Sequence, residues 1–147
     1  MSSSRLRKDI QSLYASPPAD IILSDFPSDL TQLTLSIIGP AGTPFESHEF
    51  QLALKIPSDY PCRPPTVAFR TKIFHPNIHP GNGDVCVDTL KRDWTTALDL
   101  IQVLVTIRCL LIEPNPASAL NEDAGKLILH DWNEWVKKAK LMTRIHA

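Results

Sequence analysis

A chain of 147 residues with 43% hydrophobic and 21% charged residues is long enough for one compact core and too apolar for disorder. A formal net charge of -1 gives no electrostatic reason to expect nucleic acid, and Cys62, Cys86 and Cys109 are too few and too widely spaced for a disulfide framework or a zinc site. The opening MSSSRLRKD lacks the apolar stretch of a secretory signal, and the run 97–112 is broken by Asp99, Gln102 and Arg108, so no membrane span is expected and the location implied is cytoplasmic and/or nuclear.

One domain, residues 1–147, is therefore expected. Residues 4–15 carry Leu6, Ile10 and Leu13 at helical spacing, and Pro17 and Pro18 stop the run. DIILSDF, LTQLTLSIIGP, HEFQLALKIP and TVAFR follow, rich in branched residues and ending in turn residues, and read as an antiparallel meander of four strands. Thirteen prolines against five glycines, where average usage gives roughly 7 and 10, mean stiff connections, with SDYPCRPP a ramp into the fourth strand. From 71 to about 96 no period persists, and long irregular segments in compact domains tend to be functional. Helical spacing returns at Ala97 with Leu100, Ile101, Leu104, Ile107 or Arg108, and Leu111; Pro114-Asn115-Pro116 ends it. Residues 121–146 read as one broken or two consecutive helices with Leu127, Ile128, Trp132, Trp135, Val136, Leu141, Met142 and Ile145 inward. The class is α+β: a helix, a four-stranded sheet, an irregular segment and C-terminal helices.

Chemistry concentrates in HPNIHPGNGDVCVD, 75–88. Cys86 with His75 or His79 suggests a cysteine nucleophile and its base. However, a lone His before Pro more often clamps local backbone, and His79 sits in a Pro/Gly loop. His75, His79 and Cys86 lack a fourth partner for a metal, so no metal and no cofactor are expected. A second chemistry uses Cys86 as an acyl carrier. Handing a thioester's acyl group to an amine creates an oxyanion, for which Asn77 is a suitable donor. A lysine, with its ordinary pKa near 10.4, arrives charged, and Asp88 is the closest carboxylate in sequence to help it lose a proton. If Ile101, Leu104 and Leu111 face the core, Val105 and Cys109 share the opposite face of their helix with Gln102. Basic residues cluster at Arg5, Arg7 and Lys8 and at Lys137, Lys138, Lys140 and Arg144, either as solvated helix faces or as docking sites for an acidic partner.

His75-Pro76-Asn77, Cys86 nine residues beyond Asn77, Trp94 eight further, the upstream YPCRPP and the later Pro114-Asn115-Pro116, all in this order, resemble the ubiquitin-conjugating enzymes from Arg5 to the C-terminus. VCVDTLKRDWT, TIRCLLIEPNPASALNEDAGKLIL and LMTRIHA are most similar to the family's S-type, chain-elongating branch, which continues into a lysine-rich tail. The resemblance implies the ubiquitin-conjugating (UBC) fold and ubiquitin carried as a thioester on Cys86. Asn77 would stabilise the oxyanion, His75 would shape its turn, and Ser118 would hold the position of an acidic gate, leaving Asp88 more of the lysine activation. Gln102, Val105 and Cys109 would bind the donor ubiquitin. Arg5, Arg7, Lys8, Cys62 and Thr96 would meet the activating enzyme and a ubiquitin ligase, for the S-type the anaphase-promoting complex. Three departures bear on specificity. The Asn77 to Cys86 loop is one residue longer than the family pattern, and positions associated with the choice of acceptor lysine read Ala41 and His130. Cys62 and Thr96, where many members have Phe and Pro, imply weaker binding to generic ligases. A non-catalytic binding module of the same fold, or conjugation of a ubiquitin-like modifier, is the alternative.

Overall fold

The computed structural model describes residues 2–147, with side chains from residue 4 on. Helix α1 (Ser2–Ala15) buries Leu6, Ile10 and Leu13, as their spacing predicts. Strands β1 (Ile21–Leu23), β2 (Gln32–Ile38), β3 (Glu49–Lys55) and β4 (Thr66–Phe69) form one antiparallel sheet in sequential order. β1 is shorter than the seven residues DIILSDF, because Asp20 turns the chain at φ 67 before it and Phe26-Pro27 follows it. Alternation sends Leu33, Leu35 and Ile37, then Phe50, Leu52 and Leu54, then Val67 and Phe69 inward. Leu35 pairs with Leu52, which pairs with Phe69, so one row of large side chains crosses three strands. The outer face, with Thr34, Gln51, Lys55 and Thr66, is exposed.

Helix α3 (Leu100–Ile112) joins the same core through Leu100, Val103, Leu104, Ile107, Leu110 and Leu111. Ile101, expected inside, is only partly buried, and Arg108 leaves the core to pair with Asp20 at 2.8 Å. The C-terminal segment is two helices, α4 (Glu122–His130) and α5 (Trp132–His146), each started by a side chain: Asn121 accepts from Ala124 N and Asp131 from Glu134 N. Their inward face differs from the expectation. Trp132, Leu141 and Ile145 are exposed at 50%, 48% and 62%, whereas Trp135, Ala139 and Thr143 form the buried line. A small residue at 139 lets α5 sit close, and the Thr143 hydroxyl is satisfied within the helix by Ala139 O at 2.8 Å. Leu141 lies about 200° around the helix from that line, so size alone misleads about direction. Trp135 instead packs its ring against Phe45, centroids 6.2 Å apart.

A polar network ties α1 to two loops. Arg5 donates to Asp9 (2.7 Å), to Thr96 O (2.7 Å) and to Leu98 O (2.6 Å), and the Tyr60 hydroxyl donates to the same Asp9 carboxylate at 2.6 Å. Trp94 Nε1 reaches Pro61 O at 2.8 Å, so segments 60–61 and 94–98 are fixed to one end of the sheet. Arg5 is thus hydrogen-bonded within the chain while its side chain stays 30% exposed, and Arg7 and Lys8 are exposed. Burial, then the Asp9 bond, push the Tyr60 phenol far above its ordinary pKa, which keeps it a donor. Tyr60→Phe leaves the buried Asp9 carboxylate with Arg5 alone and is expected to cost about 1–3 kcal/mol, lowering Tm by several degrees. A thermal melt at wild-type Tm would show that Asp9 does not need the phenol.

Candidate active site

The irregular reading of 71–96 is only partly right, because the segment folds back on itself. Ile78 pairs antiparallel with Val85, His79 N donates to Asp84 O at 2.8 Å, and Cys86 N donates to Asn77 O at 2.9 Å. A nine-residue separation in sequence thus becomes one backbone hydrogen bond. At the tip, His79 Nδ1 accepts from Gly81 N (3.0 Å) and Asn82 N (3.2 Å), which folds the longer loop into a compact turn. Gly83 is required there: its φ is 78, and a Cβ would lie 1.9 Å from Phe69 O. Val85 N donates to Val67 O at 2.9 Å, so the hairpin extends the β4 edge and borrows the sheet's rigidity.

Cys86 stands at the N-cap of a short helix, α2 (Val87–Lys91), that the sequence did not announce. The helix is anchored by buried Leu90 and starts where Thr89 N donates to Cys86 O at 3.1 Å. Cys86 is 7% exposed. Asp88 lies in the exposed first turn of α2, two residues beyond the thiol.

Behind Cys86 lies a buried polar knot. His75 is fully buried, and burial pushes its pKa down to about 4, partly opposed by its bond to Leu110 O. Nε2 lies 2.8 Å from that carbonyl, while Nδ1 accepts from Asn77 N at 3.0 Å, which assigns the proton to Nε2. Both nitrogens are occupied, so His75 cannot serve Cys86 as a base; His79 is on the exposed tip with Nδ1 used by backbone. The Asn77 side chain is also 0% exposed at the residue level: Nδ2 donates to Asn115 O (2.6 Å) and Ser118 O (3.1 Å), and Oδ1 accepts from Asn115 N (2.8 Å). Both amide hydrogens already have acceptors, and the group acts in this conformation as a clamp on the turn Pro116–Ser118. Pro76 O adds bonds from Leu120 N (2.7 Å) and Asn121 N (3.0 Å).

Asn115 is the partner that sequence reasoning missed. Its signal was present: in Pro114-Asn115-Pro116 only Asn115 has a backbone N–H, and that donor needs an acceptor. Gln102, Val105 and Cys109 lie exposed on α3, as their spacing predicts, with Val105 38% exposed. Cys62 and Thr96 are exposed on the loops fixed by the Arg5 network. Among the described residues no cluster of His, Cys, Asp or Glu could hold a metal, and no helix is long and apolar enough to cross a membrane.

Two measurements test the knot. Asn77→Ala orphans the Asn115 N–H and two carbonyls and is expected to cost about 2–4 kcal/mol in urea unfolding, with faster amide exchange at 115–118; unchanged stability would leave the clamp without energetic weight. For His75 the unfolded imidazole returns to its ordinary 6.5 while the folded one stays near 4, so below pH 6.5 the unfolded chain binds the extra proton. Stability from this group is therefore full above pH 6.5 and is lost as pH falls to 4, by about 3 kcal/mol, and His75→Gln should flatten that part of the pH profile.

A profile of the ubiquitin-conjugating enzyme family matches residues 5–143. The Xenopus laevis ubiquitin-conjugating enzyme E2 S-A is 49% identical over 140 residues, covering 95% of this chain and 62% of the relative. The Homo sapiens ubiquitin-conjugating enzyme E2 S is 48% identical over 140 residues, covering 95% and 63%. The chain thus spans less than two-thirds of the length of these relatives. Among solved structures, the E2 domain of a Toxoplasma gondii ubiquitin conjugating enzyme superposes with a TM-score of 0.87 at 33% identity, over 100% of this chain and 99% of that one. With a match from 5 to 143 over the meander, hairpin and later helices, the chain belongs to the ubiquitin-conjugating enzyme family.

Proposed function

We propose that the chain is an active conjugating enzyme that receives ubiquitin from the activating enzyme as a thioester on Cys86. The acyl group then passes to a lysine, with ubiquitin chain elongation the leading case. In the first step the Cys86 thiolate displaces the activating enzyme's thiol from the ubiquitin C-terminus. In the second, a neutral lysine amine forms the C–N bond, the C–S bond breaks and Cys86 leaves as thiolate. The observation that carries the reading is the placement of Cys86, bonded through its own backbone to Asn77 at 2.9 Å and backed by the buried His75.

The remaining roles follow from position. Asp88, on the same short helix, would take the lysine's proton. Asn77 would reach the oxyanion by giving up its longer bond, the 3.1 Å one to Ser118 O. Ser118 would then govern how readily that exchange occurs. The face of Gln102, Val105 and Cys109 would receive the donor ubiquitin. Arg7, Lys8, Cys62 and Thr96 would meet the activating enzyme and the ligase, with Arg5 fixing the loop beneath them. An anaphase-promoting-complex type of ligase and a cytoplasmic or nuclear location complete the proposal and rest on the S-type resemblance of the sequence motifs alone. Ala41 and His130 would set a linkage preference of their own.

The low exposure of Cys86, 7%, is the one feature that favours the non-catalytic binding module, so charging is the deciding measurement. Incubation with ubiquitin, activating enzyme and ATP should give a reductant-sensitive adduct that is lost in Cys86→Ala and becomes reductant-resistant in Cys86→Ser. Asn77→Ala should still charge but discharge more slowly to free lysine. Binding of ubiquitin without any adduct would move the assignment to the binding module, and charging only by another activating enzyme would move it to a ubiquitin-like modifier.

A further inference from the structure

Two adjoining hollows, of about 370 and 250 Å³, open beside the Cys86 segment and share Lys55, Thr66, Val85 and Val87. Val85 and Val87 flank the nucleophile in sequence, so the hollows begin one residue from it on each side. The floor of the larger is shallow for a simple reason: Ala53 and Ala68 face each other across β3 and β4, and neither side chain fills the outer face of the sheet. The charge of the walls differs from that of the chain as a whole. The chain has 15 Lys and Arg against 16 Asp and Glu, yet the two hollows hold Lys55, Arg63, Arg70 and Lys91 against the single carboxylate of Asp84. Arg63 is held by Asp59 at 2.8 Å, and Asp88 lines neither hollow. Lys55, Arg70 and Lys91 enter no ion pair among the described residues, and all three are exposed.

We propose that this cationic hollow selects the acceptor: it receives Asp or Glu side chains within three residues of the lysine that takes the acyl group from Cys86. The inference rests on the conjugating reading above and adds a substrate class to it. A bare lysine brings positive charge toward Lys55 and Arg70 and is repelled. Carboxylates beside it reverse the sign of the encounter, and in an extended segment side chains two positions apart stand on one face, about 7 Å from each other, so a carboxylate placed there travels with the lysine as it approaches the thiol. Because the cations are solvent-exposed, the selection is modest and salt-sensitive.

The test uses the whole charged chain and three peptides of equal length, each with one lysine flanked by Glu, by Gln or by Arg. Discharge to the Glu peptide should be roughly three- to tenfold faster than to the Gln peptide, the size of two exposed ion pairs, with the Arg peptide slowest. The gap should close near about 0.5 M NaCl, where screening is short-ranged. In Lys55→Glu/Arg70→Glu, a doubly exposed pair of changes, the order should invert in favour of the Arg peptide. Equal rates for the Glu and Gln peptides in the wild-type chain, a Glu preference that persists in the double variant, or discharge to free lysine but to none of the peptides would each overturn the proposal while leaving the conjugating reading intact. Failure to form the thioester at all would remove both.

Discussion

The carboxamide of Asn77 is the group on which the site depends. It is buried, and a buried amide must spend its donors and acceptor within the protein. It does so across a gap of 38 residues, matching Asn115 through N–H and C=O at once and taking Ser118 as a third partner. The three bonds join the hairpin that carries Cys86 to the loop that follows α3. Pro76 and His75 extend the junction to Leu120, Asn121 and Leu110, so the floor beneath the nucleophile is a closed polar network inside an apolar core. Neutral His75 is a condition of that network. A charged imidazole would put a second proton on Nδ1, where Asn77 N already donates.

At one end of the sheet a second network works by the same logic. Asp9, buried on α1, is held by Arg5 and Tyr60, and Arg5 reaches on to the carbonyls of Thr96 and Leu98. One network sets where the thiol stands and the other sets where the loops of Cys62 and Thr96 stand. The row Leu35, Leu52 and Phe69 and the inner face of α3 fill the space between them, so the two fixed surfaces belong to one rigid body.

Much of this was legible because it obeys a period. Leu6, Ile10 and Leu13 repeat with the helix, and the strands alternate, so helix, meander and later helices could be placed from the sequence. The order of His75, Asn77, Cys86 and Trp94 pointed to the family because each position is constrained by chemistry or packing. Three kinds of feature escaped. Trp132, Leu141 and Ile145 mislead because large apolar side chains are weak evidence of burial at a helix end, while the direction of α5 is set by what can approach closely at Ala139. Helix α2 escaped because five residues after a turn carry no period, and its only anchor is Leu90. The bonding partners of Arg5 and Asn77 escaped in another way: they lie far along the chain, and only the fold brings them together.

That last point separates structural from functional polar residues more sharply than composition does. A charged or hydrogen-bonding side chain that is already satisfied gives little to a partner without first breaking a bond, and in a buried place that cost is large. Arg5, Asp9, Tyr60 and His75 are all satisfied in this way, and Asn77 can reach out only by giving up its longest bond, the one to Ser118 O. Lys55, Arg70, Lys91, Gln102 and Asp88 have exposed side chains with no ion pair or side-chain hydrogen bond among the described residues. Two of them, Asp88 and Lys91, lie on the short helix that begins at Cys86, and Lys55 lines the same hollow as Val85 and Val87. Uncommitted polar side chains are thus present on the short helix beside the thiol and in the hollow next to it, while the committed ones of His75 and Asn77 lie behind it.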